Sequence, residues 1–230
     1  MTTSLTLPSS SSEALSGPNG QKRQYGRDAT SHWMLSIGGL CILVAVFFSG
    51  YHILRPGEQN FTLSDIFTVA AFGLFFLLGR LNMRPFAELT PAWMMSLMLI
   101  FGGLFIGSLI NGDIIRWLIV TLQYSMGWFF IPILFTSVPK RFVRIMVATF
   151  LLGITTMEIV GIAATFLIDH ATAKEIFSNE FIAGNGRLGS FAGEPNWNGQ
   201  LIAYSFVTLI YCWQKRILPV WAMLAIAPIL

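Results

Sequence analysis

Arg187, Glu194, Asn196 and Asn198 fall within one short polar passage, Gly186 to Gly199, between two long hydrophobic runs. A guanidinium offers a flat, two-pronged set of donors that matches phosphate oxygens. The first turn of a helix offers free backbone N–H groups and partial positive charge. An arginine beside such a helix start is therefore a receptor for phosphate or diphosphate. Gly189 and Gly193 let the backbone turn sharply and approach a ligand closely. Pro195-Asn196 suits the beginning of a helix, with Asn196 or Asn198 as its N-cap. The alternative is structural: Arg187 pairs with Glu194 and only closes the loop.

Further polar residues sit where apolar ones are the rule. Asn196, Gln200, Tyr204 and Thr208 recur every four residues and predict a polar stripe on one helix face. Such a stripe should face other helices or a wet cavity rather than lipid. Glu158, beside Thr155 and Thr156, lies mid-way along an apolar run, and an intramembrane carboxylate is a functional candidate by default. It is equally a candidate for a structural polar contact. Gln123, Tyr124 and Ser125 are placed to line the same cavity. His52, Asp65, Asp113, Arg116 and His170 flank hydrophobic runs, but no two histidines have ligand spacing, so no metal site is expected. Arg116 beside Asp113 reads as a helix-end anchor. Gly103 and Gly107 form a GxxxG pair, read as close helix packing. Cys41 and Cys212 stand alone inside apolar runs and form no CxxC or disulfide framework. No Walker, GxGxxG, GxSxG or HExxH motif is present.

The elements that must position these residues follow from composition. Of 230 residues, 54% are hydrophobic and 11% charged, far from the roughly 25% charged of a soluble domain. The chain reads as an all-α polytopic transmembrane bundle. Seven spans are predicted, at 33–54, 62–80, 91–110, 114–138, 142–168, 199–213 and 217–230. Residues 1–31, rich in Ser, Thr, Gly and Pro, are expected to be a disordered tail, and 32–230 the membrane domain. With that tail in the cytoplasm, ten of the fourteen Lys and Arg fall inside, as the positive-inside rule requires. Loop 169–198, carrying Arg187, then lies outside, and Ala173–Ile182 within it has the pattern of a short helix on the membrane surface or, equally, of an ordinary connecting loop with incidental aromatics. The seventh span stops without a polar flank, which suggests a longer protein. No basic stripe or zinc-finger spacing points to nucleic acid.

The run Arg187-x-Gly189-x-Phe191-x-x-Glu194-Pro195-Asn196, directly before a membrane helix and after five spans, resembles the signature of the O-antigen ligase and polysaccharide polymerase superfamily. The resemblance implies a GT-C-like glycosyltransferase of the bacterial inner membrane. It implies a polyprenyl (undecaprenyl) pyrophosphate-linked glycan as donor, a glycan or lipid A-core hydroxyl as acceptor, and no cofactor, neither nucleotide sugar nor divalent metal. By position, Arg187 would be the catalytic contact to the donor diphosphate, and Glu194, Pro195 and Asn196 would shape its pocket, with Asn198 and Gln200 beside them. Members carry a later outside loop with further arginine and histidine, absent before Leu230, so residues 1–230 alone are expected to be inactive. The competing expectation is a secondary transporter or lipid-linked glycan flippase with Glu158 and the polar stripe on its path.

Overall fold

The computed structural model describes residues 36–53, 61–177, 181, 188–193 and 195–230. Among these, every regular element is helical: α1 (Ser36–Gly50), α2 (Leu63–Leu77), α3 (Thr90–Asn111), α4 (Ile114–Ser137), α5 (Lys140–Leu167), α6 (His170–Ile176), α7 (Pro195–Gln214) and α8 (Val220–Ile226). A helix occurs at each of the seven predicted span positions. Three are long and apolar enough to cross a membrane: Ala87–Asn111, Ile114–Ser137 and Lys140–Leu167. Helices α1 and α2 are apolar but shorter. The expected tail 1–31 lies outside the described residues.

Local chemistry sets the helix ends. Thr62 and Asp65 form a capping box at the start of α2, with the Thr62 backbone N–H donating to the Asp65 carboxylate at 2.9 Å. Helix α3 stops at Gly112, which adopts the left-handed conformation at φ 71°. Asp113 then caps α4 by accepting the Arg116 backbone N–H at 2.9 Å.

Helix α4 contains a π-helical turn at Met126–Phe130, and Pro132 explains it. Proline has no N–H to give the carbonyl four residues earlier, and its ring pushes that carbonyl aside. The carbonyl belongs to Trp128, and the indole Nε1–H of Trp93 on α3 donates to it instead at 3.2 Å. One bond thus satisfies the freed acceptor and fastens α3 to α4.

Helix α5 is the centre of the bundle. It packs against α6, α7, the last turn of α1 and the 3₁₀ turn Ser190–Ala192. In lipid, apolar surfaces gain little by pairing, so tight backbone approach and hydrogen bonds must hold helices together. Gly153 provides the approach: a Cβ there would lie 2.3 Å from the Phe47 carbonyl oxygen of α1. The Tyr51 hydroxyl adds a bond to the Gly153 carbonyl at 3.2 Å.

The GxxxG expectation is corrected here. Gly103 and Gly107 have nothing within 4 Å of an added Cβ. The spacing supplies a groove only when a partner backbone enters it, and among the described residues none does. The glycines that are closely packed lie on α5, at Gly153 and Gly161, and on α1, at Gly38 and Gly50.

The sequence placed a surface helix at 173–182. The observed helix, α6, starts earlier, because Asp169 is its N-cap: Oδ1 accepts the N–H groups of Ala171 and Thr172, both at 3.0 Å, and Oδ2 accepts the Thr172 hydroxyl. These bonds, those of Thr172 foremost, hold the Asp169 carboxyl below its ordinary range. A depressed value means the cap is complete above the ordinary carboxylate range and is lost as the pH falls through the depressed one. Asp169→Ala is accordingly expected to raise amide hydrogen exchange at Ala171 and Thr172 at neutral pH. Acidification through that depressed range should reproduce the effect in the unaltered protein.

Candidate functional site

The polar passage before α7 is anchored by its middle. Ser190–Ala192 forms a 3₁₀ turn in which Ser190 has φ 50° and the following Gly193 has φ 80°. The Phe181 carbonyl accepts two consecutive amides, Gly189 N–H at 2.9 Å and Ser190 N–H at 3.0 Å. The Ser190 hydroxyl donates to the Met157 carbonyl of α5 at 3.2 Å. That contact needs Gly161, where an added Cβ would sit 2.6 Å from the Ser190 Oγ. The Ile53 N–H closes the other side by donating to the Phe191 carbonyl at 2.9 Å.

Phe191 itself is buried in an aromatic cluster. Its ring centroid lies 5.2 Å from Tyr51, 5.4 Å from Phe181 and 5.5 Å from Phe177. Phe177 and Phe181, which the sequence suggested for a membrane surface, therefore point into the bundle. Of the two glycines expected to turn the chain, Gly193 uses positive φ, whereas Gly189 at φ −84° does not.

Helix α7 begins at Pro195, inside the polar passage. Proline suits a first helical position because its missing N–H would have had no partner there. Asn196 and Asn198 therefore lie in the first turn and do not cap it, which corrects the sequence expectation. Asn196 is exposed, whereas Asn198 is 4% exposed and points into the bundle. There it lies beside the Glu158 carboxyl of α5, itself 3% exposed. Glu158 Oε1, Asn198 Oδ1 and Thr155 Oγ1 are buried without a hydrogen-bond partner among the described residues. This concentration of unsatisfied polar atoms joins α5 to α7 directly beneath the anchored turn.

The rest of α7 departs from the expected stripe. Gln200 and Tyr204 lie on the exposed side, and Thr208 satisfies its hydroxyl on the Tyr204 carbonyl at 2.7 Å. The buried face runs through Asn198, Ser205, Leu209 and Cys212. Asn198, Ser205 and Cys212 are seven residues apart, a heptad seam of small and polar residues that lets α7 lie close to α5. A period of four drifts off that seam, so the predicted stripe winds outward.

A second feature opens at the same end of the bundle. A cavity of about 540 Å³ lies between the end of α1, the start of α2, the π turn of α4 and the start of α7, with His52, Asp65, Gln123, Gly127 and Trp197 in its wall. Its position follows from the π turn, a device often found where a helix must open for function. Gln123 was expected beside Glu158 but lines this cavity instead. Tyr124 is largely exposed, and the Ser125 hydroxyl donates to the Thr121 carbonyl. Arg116 and Asp113 line a separate opening between α3 and α4.

Arg187 and Glu194, the two charged residues of the motif, lie outside the described residues, as does the His170 side chain. Among the described residues no group of His, Cys, Asp and Glu could hold a metal ion. Comparison with protein-family models, with curated proteins and with solved structures finds no match.

Proposed function

We propose that this chain is a membrane glycosyltransferase of the O-antigen ligase and polysaccharide polymerase type. In this reading it polymerises or ligates polyprenyl-pyrophosphate-linked glycans at the outer face of a bacterial inner membrane. The N-terminus is cytoplasmic, and the start of α7 faces outward. One observation carries the reading: the middle of the motif is pinned to α5 and to the segment just after α1, immediately before a twenty-residue helix begins. A helix start held this firmly is a pre-organised frame for an anion, and Arg187 and Glu194 flank the pinned turn in sequence.

Diphosphate is already a competent leaving group. The transfer needs the negative charge that develops on it to be stabilised, and the acceptor hydroxyl to be aligned with the anomeric carbon. Arg187 and the positive end of the α7 dipole serve the first need. Glu194 and Asn196 border the diphosphate pocket, while Asn198 and Glu158 support the helix from within.

The test is Arg187→Ala in the full-length protein. Product glycan is expected to vanish while membrane insertion and the melting temperature stay as in the unaltered protein. Undiminished product would overturn the reading. A transporter or flippase is the second reading, favoured by the unpartnered buried oxygen of Glu158. It requires ion-coupled movement of substrate that Glu158→Gln abolishes and Arg187→Ala spares.

A further inference from the structure

We propose that the 540 Å³ cavity beside α7 is a binding site for an uncharged sugar ring, with the Trp197 indole as its platform. Trp197 is one position before the buried Asn198, so the anchor that fixes α7 also fixes the indole. Its ring is 46% exposed, yet it is held edge-on by the His52 imidazole at 5.6 Å. A large aromatic ring that is steadied on one side and open on the other is a stacking surface.

The polar groups around it sort the ligand classes. The hydroxyls of Ser49 and Ser64, also in the wall, donate to the carbonyls of Val46 and Ala45, both at 2.8 Å. They are spent inside the protein. Both donors of Thr62 go to a single carboxylate oxygen, Asp65 Oδ2, at 2.9 Å. Neither reaches Oδ1, so Asp65 keeps acceptor capacity at the cavity wall, and Gln123, which already has a partner within the protein, adds the remaining capacity of its amide. A carboxylate and an amide facing an indole match a pyranose, which offers vicinal hydroxyls at its edge and C–H groups on its face.

Other occupants fit less well. An acyl chain would leave Asp65 and Gln123 against hydrocarbon, a costly desolvation. A phosphate would face the Asp65 carboxylate, with His52 as the single titratable donor in the wall. The volume is that of a small-molecule site rather than a lipid groove. Sugar binding here does not depend on the proposed reaction. Naming the sugar as the unit next to the donor diphosphate, or as the acceptor, does rest on it.

Saturation-transfer NMR on the full chain in nanodiscs, with maltose, cellobiose, lactose and chitobiose as probes, tests this directly. At least one disaccharide is expected to receive saturation, with affinity falling about fivefold to tenfold in Trp197→Ala. Gln123→Ala, which leaves the indole in place, is expected to weaken the same probe. Should Trp197→Ala fail to fold, Gln123→Ala alone decides. Binding by none of the four sugars, or binding unchanged in the folded variants, would overturn the proposal. Arg187→Ala keeps the two readings apart: sugar binding that persists alongside lost transfer supports both. Sugar binding with transfer undiminished in Arg187→Ala refutes the reaction and leaves the site standing.

Discussion

Gly153→Val is expected to separate α1 from α5 and to leave little monodisperse protein. An added Cβ would lie 2.3 Å from the Phe47 carbonyl oxygen and about 3 Å from its carbonyl carbon and Cα. All three are backbone atoms, so no side chain can swing away; the helices themselves must move apart. Overpacking a core costs about 1–3 kcal/mol even where side chains can adjust, and here the upper end or more is expected. The displacement would also break the bond from the Tyr51 hydroxyl to the Gly153 carbonyl. Two residues on, Ile53 holds the Phe191 carbonyl, so the damage would reach the motif turn. Size-exclusion profiles and melting in detergent measure this. Gly103→Val is the matched control, because open space surrounds that position; equal losses in the two variants would refute the argument.

Phe191→Ala is expected to release the motif turn while the long helices persist. Removing a buried phenylalanine costs about 3–5 kcal/mol. Phe191 is the ring that touches Tyr51, Phe177 and Phe181 together, so its loss takes the centre from the cluster. Limited proteolysis should then cut within 177–193 at rates at least tenfold higher, with helix content by circular dichroism nearly unchanged. If the proposed transfer reaction is correct, activity falls with protease resistance even though a buried Phe191 contacts no substrate. Unaltered resistance would show that the turn is held by its hydrogen bonds alone.

The positions of the helices were legible because apolar runs and their punctuation are local. Pro195 suited the start of α7, and the Thr62-x-x-Asp65 spacing at the start of α2 was within reach, though the sequence reading did not use it. The π turn was also within reach, since Pro132 inside an apolar run removes a hydrogen bond wherever it occurs. What failed to show were relations between distant residues. Gly103-x-x-x-Gly107 and the glycines of α5 look alike along the chain, and only the approach of the Phe47 backbone distinguishes Gly153. The Asn198–Glu158 contact joins residues forty positions apart. Phe177 and Phe181 have the composition of a membrane-surface helix, and only the return of Phe191 between them and Tyr51 turns them inward. The stripe on α7 erred by half a residue in period: four instead of three and a half.

Burial is unevenly shared between the long helices. In the most apolar stretch of α3 only 6% of residues are buried, against 44% in α5. Along α3 the identity of an oily side chain therefore carries almost no message beyond its solubility in lipid, and leucine, isoleucine or methionine there are near synonyms. Along α5 each residue is spelled by a specific neighbour. The two helices have similar hydropathy, yet random apolar replacement would leave one readable and erase the other.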